Sequence, residues 1–175
     1  MRLTFRQKTV FLVAASLVAS LCAAPAFAQA AKPDEGVPTR WMTAIRGGAG
    51  VNNTEGIAGL MWQSPGMGPA QYLRFRPAVQ GAFTSNNFAV GLILDLVAEF
   101  KIPSSKWSLI FGGGVATGLR HSSCDECNAN NSPLTGHQML LGFQHPGGLF
   151  GEVRATAGWN HGMELLVGYY FKGKK

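Results

Sequence analysis

"QYLRFRPAVQGAF", residues 71–83, places two arginines and a glutamine in a run that is otherwise apolar. Read alternately, Leu73, Phe75, Val79 and Phe83 fall on one face and Tyr72, Arg74, Arg76 and Gln80 on the other. Alternation of this length marks an extended strand, because successive strand side chains point to opposite faces. The two faces must therefore meet different surroundings. Which of them meets the more apolar one decides the architecture.

The same period recurs along the chain. Eight segments carry it: Trp41–Val51, Gly56–Ser64, Gln71–Phe83, Phe88–Lys101, Trp107–Arg120, Thr135–His145, Leu149–Asn160 and Met163–Lys172. Their connections alternate in kind. "PGMGPA", "IPSSK" and "HPGG" are short and contain proline; "NNTE", "TSNN", "HSSCDECNANNSPL" and "NH" are polar and rich in Asn and Ser. Lengths near ten residues suit strands that cross a bilayer at a tilt. The pattern predicts an all-β fold, an eight-stranded antiparallel up-and-down transmembrane β-barrel. Tight turns would lie on one side and loops on the other, the long fifth connection being the largest loop.

Composition decides which face points inward. In the fourth segment Phe88, Val90, Leu92, Leu94, Leu96, Ala98 and Phe100 oppose Ala89, Gly91, Ile93, Asp95, Val97, Glu99 and Lys101. The second set is small residues with a few charges, unlike a water-facing strand surface, which carries many Lys, Glu, Thr and Ser. Small residues instead suit the crowded interior of an eight-stranded barrel. A soluble lipocalin-like barrel that binds an apolar ligand would invert the assignment. Large aromatics also gather near segment ends, at Trp41, Phe83, Phe88, Phe100, Trp107, Trp159, Tyr169 and Phe171, as interfacial girdles do.

The first 28 residues read as a signal peptide. Arg2, Arg6 and Lys8 precede an apolar run from Val10 to Ala19, and Pro25-Ala26-Phe27-Ala28 ends in a small-x-small cleavage pattern. Leu21 before Cys22 is too large for a lipoprotein site, so Cys22 leaves with the signal. Residues 29–40, "QAAKPDEGVPTR", read as a flexible lead, and residues 41–175 as the barrel domain. Without Arg2, Arg6 and Lys8, 12 of the 15 basic residues remain against 9 acidic ones, with no basic patch of the kind that binds nucleic acid.

Candidate chemistry is sparse. The inward set holds Arg46, Arg74, Arg76, Asp95, Glu99, Glu152, Arg154 and Glu164. Buried charges must pair or cost several kcal/mol each. They are read as an ion-pair network that plugs the lumen, with Arg74, Glu99, Glu152 and Arg154 near its centre. Cys124 and Cys127 bracket Asp125-Glu126, with His121 and His137 nearby. These could make a Cys₂His₂ zinc site, for which the spacing is only half a signature; an oxidising compartment favours a Cys124–Cys127 disulfide, and free thiols are the third option. Gly112-Gly113-Gly114 lacks the Lys-Ser/Thr of a phosphate loop and lies inside a strand, where it marks close backbone approach or a bend. Pro77 removes a ladder donor and predicts a bulge or bend. No cofactor or metal is implied.

The whole of residues 41–175 resembles the small eight-stranded outer-membrane β-barrel family of the OmpA/OmpX-like kind, on "LRFRPAVQGAF", "WSLIFGGGVATG", "LFGEVRATAG" and "MELLVGYYF". The resemblance implies a monomer in the outer membrane of a Gram-negative-type bacterium, in contact with lipid and lipopolysaccharide and inserted by the barrel-assembly machinery. It implies a structural or surface-interaction role, porin-like in architecture but with a closed bore, and no catalysis. Two features depart from the family: Phe171 is followed by Lys-Gly-Lys-Lys, and most polar loops are short. Lipid A deacylases, an enzymatic branch of such barrels, carry His-x-Ser on a late strand. Residues 154–161 here read "RATAGWNH", with no such motif.

Overall fold

The computed structural model describes residues 40–51, 55–68, 71–84, 87–124, 127–158 and 162–171, apart from the side chains of residues 122–132. The expected signal segment, 1–28, and nearly all of the lead lie outside these residues, as does Trp159. Eight strands occur in chain order: β1 (Met42–Gly50), β2 (Glu55–Gln63), β3 (Leu73–Phe83), β4 (Asn87–Lys101), β5 (Ser108–Cys124), β6 (Cys127–Gln144), β7 (Leu149–Ala157) and β8 (Gly162–Phe171). Each pairs antiparallel with the next. β8 returns to β1 from Thr43↔Phe171 to Gly50↔Glu164, closing the barrel.

The faces separate as the alternation predicts. On β4, Ala89, Ile93, Asp95 and Val97 are buried, while Phe88, Val90, Leu92 and Leu94 are exposed. On β8, Glu164, Leu166 and Tyr170 are buried between exposed Met163, Leu165, Val167, Tyr169 and Phe171. The contrast is extreme: Arg154 is 0% exposed and Val167 is 61%. A single interior packs Ala44, Ile57, Met61, Ile93, Phe150, Leu166 and Tyr170 around the charges.

Two of the proline connections are tight turns. Pro103-Ser104 sits between Ile102 and Ser105, whose N–H donates to the Ile102 carbonyl at 3.1 Å, and Ser104 takes a left-handed φ of 61°. Pro146-Gly147 fills a turn closed by Gly148 N–H to His145 O at 2.9 Å. Both follow from proline's fixed φ at the second turn position.

Two expectations are corrected. The fifth connection is no loop: β5 and β6 continue as one ladder to Ser122↔Asn130 and, after a register irregularity, to Cys124↔Cys127. Hydrophobic alternation marks a strand only where its two faces differ; Asn- and Ser-rich residues carry a ladder without displaying the period. Nor does Pro77 make a bulge with β4, since the register runs unbroken through Pro77↔Leu94. The missing donor acts on the other side. Phe75 exchanges hydrogen bonds with Ser64, N–H to Ser64 Oγ at 2.9 Å and Ser64 N–H to Phe75 O at 2.8 Å, so residue 77 also faces β2. There the β2–β3 ladder stops at Met61↔Ala78.

The glycine triplet is a site of close approach. A Cβ on Gly112 would strike Leu96 O and lie 2.7 Å from Val97 Cα; one on Gly114 would strike Leu94 O and the Asp95 carboxylate; one on Gly113 would lie 2.8 Å from Gln138 O. Gly114→Ala should therefore destabilise the barrel by about 1–3 kcal/mol, as overpacking does. Gly151→Ala, where the nearest atom to a Cβ would be Leu166 O at 3.9 Å, should cost less than about 0.5 kcal/mol. Urea unfolding of the two variants in detergent compares them directly.

Candidate functional site: the charged lumen

Residues two apart on a strand share a face, so β3 aims Arg74, Arg76 and Gln80 inward together, β7 aims Glu152 and Arg154, and β4 aims Asp95 and Glu99. The barrel brings these strands around one axis. At its middle, Arg76 Nη2 bonds Glu152 Oε1. Glu152 Oε2 accepts from Arg154 Nη2 at 2.8 Å and Nε at 3.0 Å. Arg154 Nη2 also lies 3.0 Å from Asp95 Oδ2, and Asp95 Oδ1 accepts from Gln138 Nε2. All four charged residues are buried, so the chain Arg76–Glu152–Arg154–Asp95 is a continuous ionic girder across the bore.

Two satellites flank it. Towards the polar-loop end, Arg46 Nη2 donates to Gln80 Oε1 at 2.6 Å, and Gln80 Nε2 lies 3.3 and 3.4 Å from the two oxygens of Glu164. Gln80 thus relays Arg46 to Glu164. Towards the turn end, Arg74 Nε meets Glu99 Oε2 at 3.2 Å, with the Glu99 side chain 16% exposed. Arg74 and Glu99 therefore form a separate pair at the turn-end mouth, not the centre expected for them. Asp95 and Arg76 hold the centre with Glu152 and Arg154.

Several partners escaped the sequence reading. Tyr170 donates its hydroxyl to Gln63 Oε1 at 2.6 Å. Its ring and that of Phe150 lie 6.0 and 5.7 Å from the Arg76 guanidinium carbon, within cation–π range. Gln80 shares the arginine face of residues 71–83 in the sequence, and the structure adds Gln63 and Gln138 as buried, inward-facing amides. A glutamine announces no chemistry by itself, and only the barrel's curvature shows which charge it serves.

Of the expected aromatic girdle, Trp41, Phe83, Phe88, Trp107, Tyr169 and Phe171 are exposed at strand ends. Phe100 is half-buried and stacks on Tyr72 at 6.1 Å. Phe83 covers the bare backbone of Gly56, where a Cβ would lie 2.9 Å from its Cδ2.

Cys124 and Cys127 pair across the β5–β6 hairpin; their side chains lie outside the described residues. His137 pairs with Val115, ten residues along an extended strand from Cys127 and so about 33 Å away. The four-ligand zinc set therefore does not assemble. Among the described residues, no three His, Cys, Asp or Glu side chains gather as a metal site.

Comparison of the chain with protein-family models and with curated proteins gives no match to either.

Removing Arg154 leaves the buried Asp95 without its cation and Glu152 with Arg76 alone, whereas Glu99, the partner of Arg74, is already partly exposed. Arg154→Met should cost about 3–5 kcal/mol, the range for breaking a buried pair, and Arg74→Met clearly less, read by equilibrium unfolding in micelles. For the expected Cys124–Cys127 disulfide, thiol titration of the unfolded chain, after folding in an oxidising buffer, should find both cysteines blocked until a reductant is added.

Proposed function

We propose that this chain is an integral outer-membrane β-barrel protein of a Gram-negative-type bacterium, exported by a cleaved signal peptide. Its lumen is plugged by ion pairs, and its role is structural or surface-interacting, without catalysis. The observation that carries the reading is the inside-out distribution of polarity. Exposed apolar residues occur on every strand, among them Ile45, Leu60, Val79, Leu92, Val115, Leu141, Val153 and Leu165, while Arg46, Arg74, Arg76, Asp95, Glu152, Arg154 and Glu164 are buried inside. An apolar surface of that extent is foreign to a water-soluble monomer. A closed barrel is one of the two ways to satisfy every backbone group in hydrocarbon. A lipocalin-like carrier would need the reverse, an apolar cavity inside a polar wall.

The surface-interaction role draws on the β5–β6 hairpin. β6 pairs with β7 only from His137↔Ala157 onward, so Cys127–Gly136 run past the end of β7. On the outward face of that hairpin Thr117 and Thr135 interrupt the apolar residues, and beyond Leu119 and Pro133 comes His121, as expected towards the end of a lipid belt. The proposed partners are outer-membrane lipid and lipopolysaccharide around the wall, and the barrel-assembly machinery during insertion, with the protein acting as a monomer.

Fractionation tests the reading. The chain should be recovered with the outer membrane, require detergent for extraction, and migrate differently on gels before and after boiling; recovery from the soluble periplasm without detergent sinks it. Leu94→Arg, outward at mid-wall, should cost about 2–4 kcal/mol in lipid vesicles, and Thr135→Arg about 0–1 kcal/mol. Equal costs in vesicle unfolding would remove the lipid belt from the account.

A further inference from the structure

Among the described residues, six buried side-chain nitrogens lack a hydrogen-bond acceptor: Arg46 Nε, Gln63 Nε2, Arg74 Nη1, Arg76 Nε, Arg76 Nη1 and Arg154 Nη1. Four of them belong to Gln63, Arg74 and Arg76, on facing stretches of β2 and β3 towards the turn end. Ser64 and Phe75 continue the register of Met61↔Ala78, which sets Gln63 opposite Arg76, both facing inward. The three residues are 1%, 2% and 0% exposed.

The acceptors these residues reach are shared, and the Tyr170 hydroxyl oxygen serves Arg76 as well. Gln63 Oε1 takes the Tyr170 hydroxyl, Glu99 Oε2 takes Arg74 Nε, and Glu152 serves Arg154 as well as Arg76. Among the described residues, the buried acceptors left without a hydrogen bond are Gln138 Oε1, Gln144 Oε1 and Asp95 Oδ2, the last held by its ion pair with Arg154; they belong to β4 and β6 and none to β2 or β3. The rings of Phe150 and Tyr170 lie 5.7 and 6.0 Å from the Arg76 guanidinium carbon.

A group of donors without acceptors calls for a ligand of a particular kind. Water accepts two hydrogen bonds but brings two protons that need acceptors of their own. An ionised oxyanion accepts only, and its bonds to guanidinium are the strong, charge-assisted kind. We propose that Gln63, Arg74 and Arg76 form a binding site for a phosphate-type oxyanion, entered from the turn end past the Arg74–Glu99 pair. The site requires the barrel interior and is independent of where the barrel resides. Its phosphate comes either from solution or from a lipid headgroup at the turn-end mouth.

The test uses the isotope-labelled chain refolded in maltoside micelles, whose headgroups carry no phosphate. Sodium phosphate is titrated against sodium chloride at matched ionic strength, with the arginine Nε–H and glutamine side-chain amide resonances observed. Phosphate should shift the Arg76 and Gln63 signals saturably and chloride should not. Gln63→Glu keeps an acceptor for Tyr170 and puts a negative charge into the site, so phosphate should bind it on the order of tenfold more weakly or worse. Heat-modifiable migration verifies that this variant is folded; if it is not, Arg74→Met takes its place with the same expectation. No response to phosphate, an equal response to chloride, or unchanged binding by the folded variant overturns the site. Nanodiscs then separate the sources. Shifts with phosphatidylglycerol alone assign the headgroup, shifts only on adding phosphate to galactolipid discs assign the free ion, and silence in both overturns the proposal.

Discussion

Glu152 is the residue on which this barrel turns. Its two oxygens receive Arg76 from β3 and Arg154 from β7, strands on opposite sides of the wall, and Arg154 carries the connection to Asp95 on β4. Each of these ions would be prohibitively expensive to bury alone. Each is tolerable because the others are present with hydrogen bonds well aligned. The girder therefore fixes the interior as a set, and opposite walls of the barrel cannot drift apart without exposing a bare charge to a low-dielectric interior.

The rest of the wall is organised around that filling. Arginine and glutamine side chains are long, so strands that face them across the bore must carry little. β5 does so with Gly112 and Gly114, whose bare backbone lies against β4 beside Asp95 and Val97. On the outer surface the relation is reversed. The glycine at position 56 is roofed by the ring of Phe83, so a small residue on one strand is completed by a large one on the next. Inside, bulk is rationed by charge; outside, it is supplied by aromatic rings.

Strand number, direction and face were legible in the sequence because two-residue periodicity is local and Asp95, Arg74, Arg76 and Arg154 each interrupt an otherwise apolar or small set. The layering of the charges was not. Arg74 and Arg76 differ by a single step along the same face, yet one guards the mouth and the other holds the centre. That difference is set by which residues of β7 and β4 lie level with them, which depends on the stagger of the whole closed sheet. The ends of β5 and β6 were hidden for another reason. Backbone pairing needs no apolar side chains, so Asn- and Ser-rich residues that read as a loop continue the ladder. Gln80 and Gln138 remained ambiguous because an amide becomes a relay only when a guanidinium and a carboxylate arrive on either side.

Pro77 has a consequence for the order in which the wall comes together. Its missing N–H faces β2, and that ladder runs only from Gly56↔Phe83 to Met61↔Ala78, with the Ser64 hydroxyl substituting for a backbone acceptor beyond it. The β4–β5–β6 side, by contrast, is paired over nearly its whole length. Local opening concentrates where backbone pairing is thinnest. The long hairpins can form early as a preassembled sheet, and the β2–β3 join is left as the wall's zip: the last stretch to engage in assembly and the first to breathe in the finished barrel.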